Sequence, residues 1–217
     1  MAKLILDENV SRLYSPSARY VSTVEVPELK FLMIDGVIED DENLKTSESF
    51  QEALNVLSGI SFTLKFMSKL NRQNPVDYNT LPMEAIWQID TDGNLNQRGG
   101  WAWTLMAMQP EHITQEMVSN ATDSLRQKQG EVPTLNLVRY EHFTEGLCIQ
   151  IMHVGSQQLI PMTFDRMKDY AKYKKYELRG NKYHEIYISD PRHEQPDKER
   201  TIIRYPVNRL EGSDSEE

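Results

Sequence analysis

The sequence predicts an α+β fold built from two pseudo-symmetric strand–helix–strand–strand modules with antiparallel sheets and a ligand cleft between them. One observation is that segments with period-two alternation and segments with helical apolar spacing follow each other in the same order in both halves. The other is that Ile86–Asp90 resembles Ile186–Asp190 at an offset of about 100 residues, a period that indicates two domain-sized modules rather than a solenoid.

The first module begins with a strand over Lys30–Gly36, which the glycine ends. Ser49–Glu52 is typical of a capping box and opens a helix. Its apolar positions have helical spacing: Phe50, Ala53, Leu54, Leu57, Leu64 and Met67. Gly59 within this helix either lets another element pack closely or marks a local bend. Strands over Met83–Asp90 and Trp101–Met108 follow, joined by a turn at Asp92–Asn94 with Gly99 and Gly100. The second of these strands is apolar on both faces and should be covered on both.

A connecting helix leads into the second module, with its apolar stripe at Ile113, Met117, Ala121 and Leu125. Leu135–His142 and Leu147–Val154 predict a hairpin that turns at Thr144–Gly146. The next helix carries an apolar stripe at Ile160, Phe164, Met167 and Ala171. Strands over Tyr183–Asp190 and Thr201–Val207 complete the module.

Composition narrows the possible functions. The net charge of −9 and pI of about 5.1 argue against nucleic acid as a partner. No apolar run approaches the roughly 20 residues that a membrane span needs. The apolar segment at the N-terminus is too short for a signal peptide and is followed directly by acidic residues. We therefore expect a cytoplasmic protein without a membrane partner. The single cysteine, Cys148, fits that compartment and has the apolar neighbours of a structural thiol. The five histidines lack ligand spacing and no phosphate loop is present, so no metal or cofactor is expected.

The strand over Tyr183–Asp190 contains the candidate chemistry. Tyr183, Glu185 and Tyr187 project from the same face, so a carboxylate that can accept a proton lies between two aromatic rings that can hold a flat molecule. The alternative is a half-buried strand whose polar face meets water. The repeat places Trp87 opposite Tyr187 and Ala85 opposite Glu185, which predicts a cleft with aromatic walls and one carboxylate. Trp87, Trp101 and Trp103 can each belong either to that cleft or to the core.

From about Tyr14 to Val207 the sequence resembles the GyrI-like small-molecule-binding family. The resemblance rests on several blocks in the same order: Val26–Gly36, Thr63–Met67, Trp103–Met106 with Gln109 and Pro110, Glu145–Cys148, and above all His184–Arg192 followed by Thr201–Val207. The chain departs from the family pattern at Gly155–Gln157, where Gly-Pro-Tyr is common, at Val37–Asp40, and at Tyr183, where the family often has a second histidine.

The sequence is expected to divide into three parts. Residues 1–27 would be an N-terminal lead-in without a site, and 28–208 a single GyrI-like domain. That domain would comprise module one over 28–110, the connecting helix over 113–129 and module two over 133–208. Residues 209–217 would be an acidic, disordered tail. The expected state is a monomer or weak dimer.

The resemblance also implies a function. The family includes drug-binding effector domains of transcription regulators and stand-alone proteins that hydrolyse the cyclopropane of DNA-alkylating cyclopropylpyrroloindole antibiotics, which protects the cell and gives drug resistance. By this resemblance, Glu185 corresponds to the glutamate of the family and would act as the general base. Tyr187 or His184 would donate a hydrogen bond to the substrate carbonyl. The residues that would hold the planar rings are Trp87, Trp101, Trp103, Met33, Tyr140 and Tyr183.

Three alternatives stay open. Glu185 can attack the substrate directly and form an ester. The same cleft can sequester planar lipophilic or cationic molecules without chemistry, with Glu185 as counter-ion. The chain can also act as an interaction module that inhibits a larger protein, with the acidic loop near Glu39–Glu42 and the acidic tail as contacts. The natural substrate does not follow from the sequence.

Overall fold

The fold is described from a computed structural model over residues 2–4, 7–39, 42, 44–88, 100–190 and 195–210. Several predictions lie outside these residues: the turn at Asp92–Asn94, the last residues of the Ile86–Asp90 strand, Asp40 and Asp41 of the acidic loop, the residues from Pro191 to Arg192, and the acidic tail from Glu211.

Each half has the predicted order of strand, helix, strand and strand, among further short elements that were not predicted from the sequence. The strands are β1 (Ala2–Lys3), β2 (Ser22–Val37), β3 (Val76–Asp77), β4 (Glu84–Gln88), β5 (Ala102–Gln109), β6 (Arg139–Val154), β7 (Tyr176–Leu178), β8 (Lys182–Tyr187) and β9 (Arg200–Arg209). The helices are α1 (Glu8–Leu13), α2 (Glu48–Lys69), α3 (Gln115–Gln129) and α4 (Ile160–Tyr173), with short 3-10 turns at Pro133–Leu137, Gln157–Leu159 and Pro196–Lys198. The order β2–α2–β4–β5 thus recurs as β6–α4–β8–β9, and the α+β class is confirmed.

The main sheet is antiparallel and its strands lie in the order β6–β2–β5–β4–β8–β9–β7. Because β6 also pairs with β9, six of these strands form a closed ring. β4 and β8, one from each module, are neighbours, and Ala85 lies directly opposite Glu185. In an antiparallel pair such a position lies on a local two-fold axis, which is the geometric basis of the 100-residue repeat.

The helices cover one face of this sheet. α2 packs on β2 and β5, α4 packs on β6 and β7, and α3 packs on α2. The predicted stripe of α4 is buried at all four positions, as are Ala121 and Leu125 of α3. A Cβ on Gly59 would lie 3.0 Å from Leu125 Cδ2, so this glycine does permit the close approach of α3. No helix in the described ranges is long and apolar enough to cross a membrane.

The N-terminal segment packs against the other face. Leu13 at the end of α1 is buried against Val26 and Cys148, and Tyr14 packs beside the cluster of Met152, Ile186 and Ile202. Because β2 begins at Ser22, the last residues of the predicted 1–27 lead-in already pair with β6.

Two local predictions were wrong. The predicted hairpin at Thr144–Gly146 is one continuous strand, since β2 pairs with β6 on both sides of that point. Gly146 adopts a φ of 74°, so it supplies an irregularity within the strand rather than a chain reversal. The capping box at Ser49–Glu52 is also absent: Ser47 is the N-cap residue, and Ser49 already lies inside α2.

Candidate functional site

Glu185 lies in the middle of β8 with its side chain on the helix-covered face, and it is 0% exposed. The Tyr183 hydroxyl donates to Oε1 at 2.9 Å, and the Tyr187 hydroxyl donates to Oε2 at 3.1 Å. The two tyrosines flank the glutamate at i±2, so the strand's period of two puts all three side chains on one face. Each carboxylate oxygen therefore accepts a hydrogen bond from an aromatic hydroxyl.

Trp87 extends this network from the neighbouring module. Its Nε1–H donates to the Tyr187 hydroxyl oxygen at 3.1 Å. Since Tyr187 gives its own proton to Glu185, the bonds run in one direction, from Trp87 through Tyr187 to the carboxylate. Bonds in such a chain polarise and strengthen one another in a buried site.

Aromatic rings from both modules enclose the carboxylate. Trp101 contacts Trp87 and Tyr183, at centroid distances of 6.5 and 6.4 Å. Phe50 of α2 stacks on Trp87 at 5.7 Å, and Phe164 of α4 meets Tyr183 edge-on at 4.8 Å. The sequence predicted the two phenylalanines only as helix-stripe residues, because their position beside the site depends on how the helices lie on the sheet.

Trp103 completes this aromatic group by meeting Phe50 edge-on at 5.1 Å. Its ring passes over Gly36, where an added Cβ would lie 2.1 Å from Trp103 Cζ2. Any larger residue at position 36 must displace the ring. Gly36 is therefore required for the packing of Trp103; it does not end the strand, which continues to Val37.

The structure thus brings together Glu185, Tyr183, Tyr187, Trp87, Trp101 and Trp103, but three other predicted site residues lie elsewhere. His184, the next residue along β8, projects from the opposite face. Met33 lies on that opposite face too, packed with Phe31, Met106 and Ile86. The Tyr140 hydroxyl donates to the Ile113 carbonyl at 2.8 Å, next to α3. Predicting His184 and Met33 in the same cleft as Glu185 was wrong because strand parity separates them.

Behind Glu185, on the opposite face, His184 belongs to a buried charge network. Its Nδ1 donates to Glu145 Oε2 at 3.1 Å, and Arg204 Nη1 donates to the same oxygen at 3.1 Å. His184 Nε2 lies 3.0 Å from Glu84 Oε2, close enough for an ion pair although the angles are outside hydrogen-bond geometry. Tyr14 donates to Glu84 Oε1 at 2.6 Å.

The pKa values of this network follow from competing effects. Burial alone would lower the pKa of His184, but Glu145 and Glu84 outweigh it and raise the pKa to about 9. Burial alone would raise the pKa of Glu145, but His184 and Arg204 outweigh it and lower the pKa to about 2. At neutral pH the ionised Glu145 therefore lies between the cations of Arg204 and His184, and the cationic His184 holds β8 at the residue next to Glu185.

This network was not predicted from the sequence. The signal was present as charged residues inside otherwise apolar strands, at Glu84, Glu145 and Arg204. Such residues are almost never fully buried unless they are paired. Their partners, however, come from β4, β6 and β9, and that proximity depends on the register of distant strands.

A cavity of about 270 Å³ lies between α2 and the ends of β5 and β8. Tyr187 lines it together with Leu54, Ser61 and Gln109. Tyr187 therefore contacts both this cavity and, through its hydroxyl, the enclosed Glu185.

Comparison with known proteins gives close structural relatives. No protein family model and no curated protein sequence matches the chain. A crystal structure of a Listeria innocua protein described as a hydrolase superposes with a TM-score of 0.80 at 33% identity, over 91% of this chain and 96% of that one. A Listeria innocua protein described as uncharacterized and conserved superposes with a TM-score of 0.80 at 32% identity, with the same coverage. The EcmrR C-terminal domain has the same fold, with a TM-score of 0.51 at 11% identity over 88% of this chain and 98% of that domain.

Proposed function

This chain belongs to the GyrI-like family of small-molecule-binding proteins, and on that premise we propose that it is a hydrolase that opens the cyclopropane of cyclopropylpyrroloindole-type compounds with water. The observation that carries the proposal is the buried Glu185, with an aromatic hydroxyl on each carboxylate oxygen and aromatic rings around it. The description of a relative with 33% identity as a hydrolase supports the reaction class.

The proposed substrate has the properties that this site can use. A cyclopropane conjugated to a dienone is electrophilic because its opening makes an aromatic phenolate. The substrate is flat and apolar, so it can stack between rings such as Trp87, Trp101 and Tyr183. A carboxylate beside those rings can accept a proton from the attacking water.

In the proposed step Glu185 removes a proton from water, and the water oxygen bonds to the cyclopropane methylene carbon. The C–C bond to the ring breaks, and its electron pair moves through the dienone to the carbonyl oxygen. Tyr187 gives its hydroxyl proton to that oxygen and takes a replacement from protonated Glu185, along the hydrogen bond at 3.1 Å. The net change is the addition of one water, and the carboxylate is regenerated.

The hydrogen bond from Trp87 would assist this proton transfer through Tyr187. While Tyr187 gives up its proton, negative charge develops on its oxygen, and the Nε1–H of Trp87 already points at that atom. A donor placed in advance toward developing charge stabilises the transition state without reorganisation. Trp87 would thus act through Tyr187 as well as through ring stacking.

Substrate entry requires movement of side chains, since Glu185 is 0% exposed. The cavity beside Tyr187 provides the starting point, between α2 and the ends of β5 and β8. Closure of aromatic rings behind the substrate would also exclude bulk water, which strengthens the electrostatic interactions in the site.

The test compares single-turnover rates of the wild type, Glu185→Gln and Glu177→Gln with a cyclopropane-bearing substrate. Glu177 is exposed on β7, so its variant is a matched control for the same substitution. We expect loss of about 10²–10⁴-fold in the Glu185 variant, the usual contribution of a general base. Equal rates in all three proteins would remove Glu185 from the chemistry.

A second candidate function rests on the same geometry. A carboxylate surrounded by aromatic rings is also the arrangement that binds a lipophilic cation, through charge and cation–π contacts. Calorimetric titration with such a cation, together with chromatography of the cyclopropane compound, distinguishes the two functions. Tight binding without product from the cyclopropane compound would favour sequestration.

A further inference from the structure

A second cavity, of about 460 Å³, lies on the sheet face opposite Glu185. Apolar side chains form much of its wall: Met33, Ile86, Phe143 and Pro206. Basic side chains stand around it at Arg139, Arg179 and Lys182. Its volume is in the range of small-molecule sites, which are typically about 300–1,000 Å³.

The charges around this cavity do not cancel. Arg139 is paired with two carboxylates, Asp35 at 2.7 Å and the cavity-lining Glu141 at 2.6 Å, so this group has one surplus negative charge. The Glu145 carboxylate also lines the cavity, but it is neutralised by Arg204 and His184.

The two other cations are available. Arg179 donates through Nη2 to the backbone carbonyl of Glu145, which carries no charge. Within the described part of the chain, no carboxylate pairs with Arg179 or Lys182. The segment between β7 and β8 therefore presents two positive charges above an apolar wall, in a protein whose net charge is −9.

We propose that this cavity is a second binding site, for a small molecule with an apolar body and one anionic group such as a carboxylate or sulfonate. The anionic group would bind Arg179 and Lys182, and the body would pack on Met33, Ile86 and Phe143. Arginine suits this role because its planar fork can bond both oxygens of such a group.

This site differs from the proposed hydrolytic site in charge preference and, apart from Tyr183, which lines this cavity and also contacts Glu185, in the residues that form it. The two lie on opposite faces of β8, because Lys182 and Glu185 differ by an odd number of positions along the strand. Glu185 favours neutral or cationic ligands, whereas Arg179 and Lys182 favour an anion. The proposal therefore does not depend on cyclopropane hydrolysis.

The test uses fluorescence titration with 8-anilinonaphthalene-1-sulfonate and with its uncharged relative N-phenyl-1-naphthylamine. The proteins are the wild type, Arg179→Gln/Lys182→Gln, and the control Arg72→Gln/Lys172→Gln, which loses the same charges at exposed positions. We expect about a 10-fold or greater loss of sulfonate affinity in the first variant alone, the size of one or two charge-assisted hydrogen bonds. Its affinity for the uncharged probe should stay unchanged.

Two results would overturn the proposal. Unchanged sulfonate affinity in Arg179→Gln/Lys182→Gln would show that the probe binds elsewhere. An equal loss in the control pair would show that only the overall charge matters. All the substituted side chains are at exposed positions, and matching far-UV circular dichroism and thermal unfolding would verify that each variant is folded.

Discussion

The buried charge network makes stability depend on pH in a way that one substitution should abolish. His184 is 1% exposed, and its pKa is raised from 6.5 to about 9 by Glu145 and Glu84 despite the opposing effect of burial. A raised pKa means that the folded state binds the proton more tightly than the unfolded state. The contribution is therefore full below pH 6.5 and is lost as the pH rises through about 9.

The size of this contribution to the unfolding free energy follows from the change in the pKa of His184. One pKa unit corresponds to about 1.4 kcal/mol, so a difference of 9 − 6.5 gives roughly 3 kcal/mol of unfolding free energy. The ionisation of Glu145 determines how stability changes at acidic pH, and its effect has the opposite sign. Its pKa is lowered from 4.5 to about 2, so its contribution is present above pH 4.5 and is lost as the pH falls through about 2. The network should be most stabilising between about pH 4.5 and 6.5.

Urea denaturation across pH 5 to 10 measures this effect in the wild type, His184→Gln and His142→Gln. We expect the wild type to lose roughly 3 kcal/mol as His184 deprotonates. His184→Gln should be less stable at acid pH and nearly independent of pH in this range. His142 is exposed beside Glu28, so its variant should follow the wild type. Parallel curves for the wild type and His184→Gln would refute the ionised network.

The remaining predictions concern the other side of the sheet. Tyr187→Phe removes the hydroxyl between Trp87 and Glu185, and we expect the unfolding free energy to fall by about 1–3 kcal/mol, because two buried polar groups lose a partner. Single-turnover kinetics on this variant should show slower ring opening than in Tyr205→Phe, whose hydroxyl bonds the Gly180 carbonyl. Gly36→Ala places a methyl group 2.1 Å from Trp103 and should cost about 1–3 kcal/mol by overpacking, with a changed tryptophan emission spectrum. Unchanged emission and stability would contradict the proximity of Trp103 to Gly36.

The central residues of the site could be predicted from the sequence because strand parity is local. Tyr183, Glu185 and Tyr187 share a face whatever the rest of the chain does. The repeat added the neighbouring strand, since Ala85 does lie opposite Glu185. The same parity should have excluded His184, which is adjacent to Glu185 and therefore projects from the other face.

What could not be predicted depends on contacts between distant elements. Glu145 and Arg204 meet only because β6 and β9 pair and close the ring. Phe50 and Phe164 reach the site because α2 and α4 cross the sheet on either side of it. The hairpin prediction failed because a glycine at positive φ also fits within a long irregular strand, and Gly146 gives no local signal that separates the two cases.

Product analysis in ¹⁸O-labelled water measures whether Glu185 drives the addition of water to a strained ring. The wild type and Glu185→Gln would each be incubated with a cyclopropane-bearing compound and the products measured by mass spectrometry. We expect a ring-opened alcohol, heavier by one labelled water, from the wild type and almost none from Glu185→Gln. Equal product from both proteins, or a compound returned unchanged by the wild type, would contradict it.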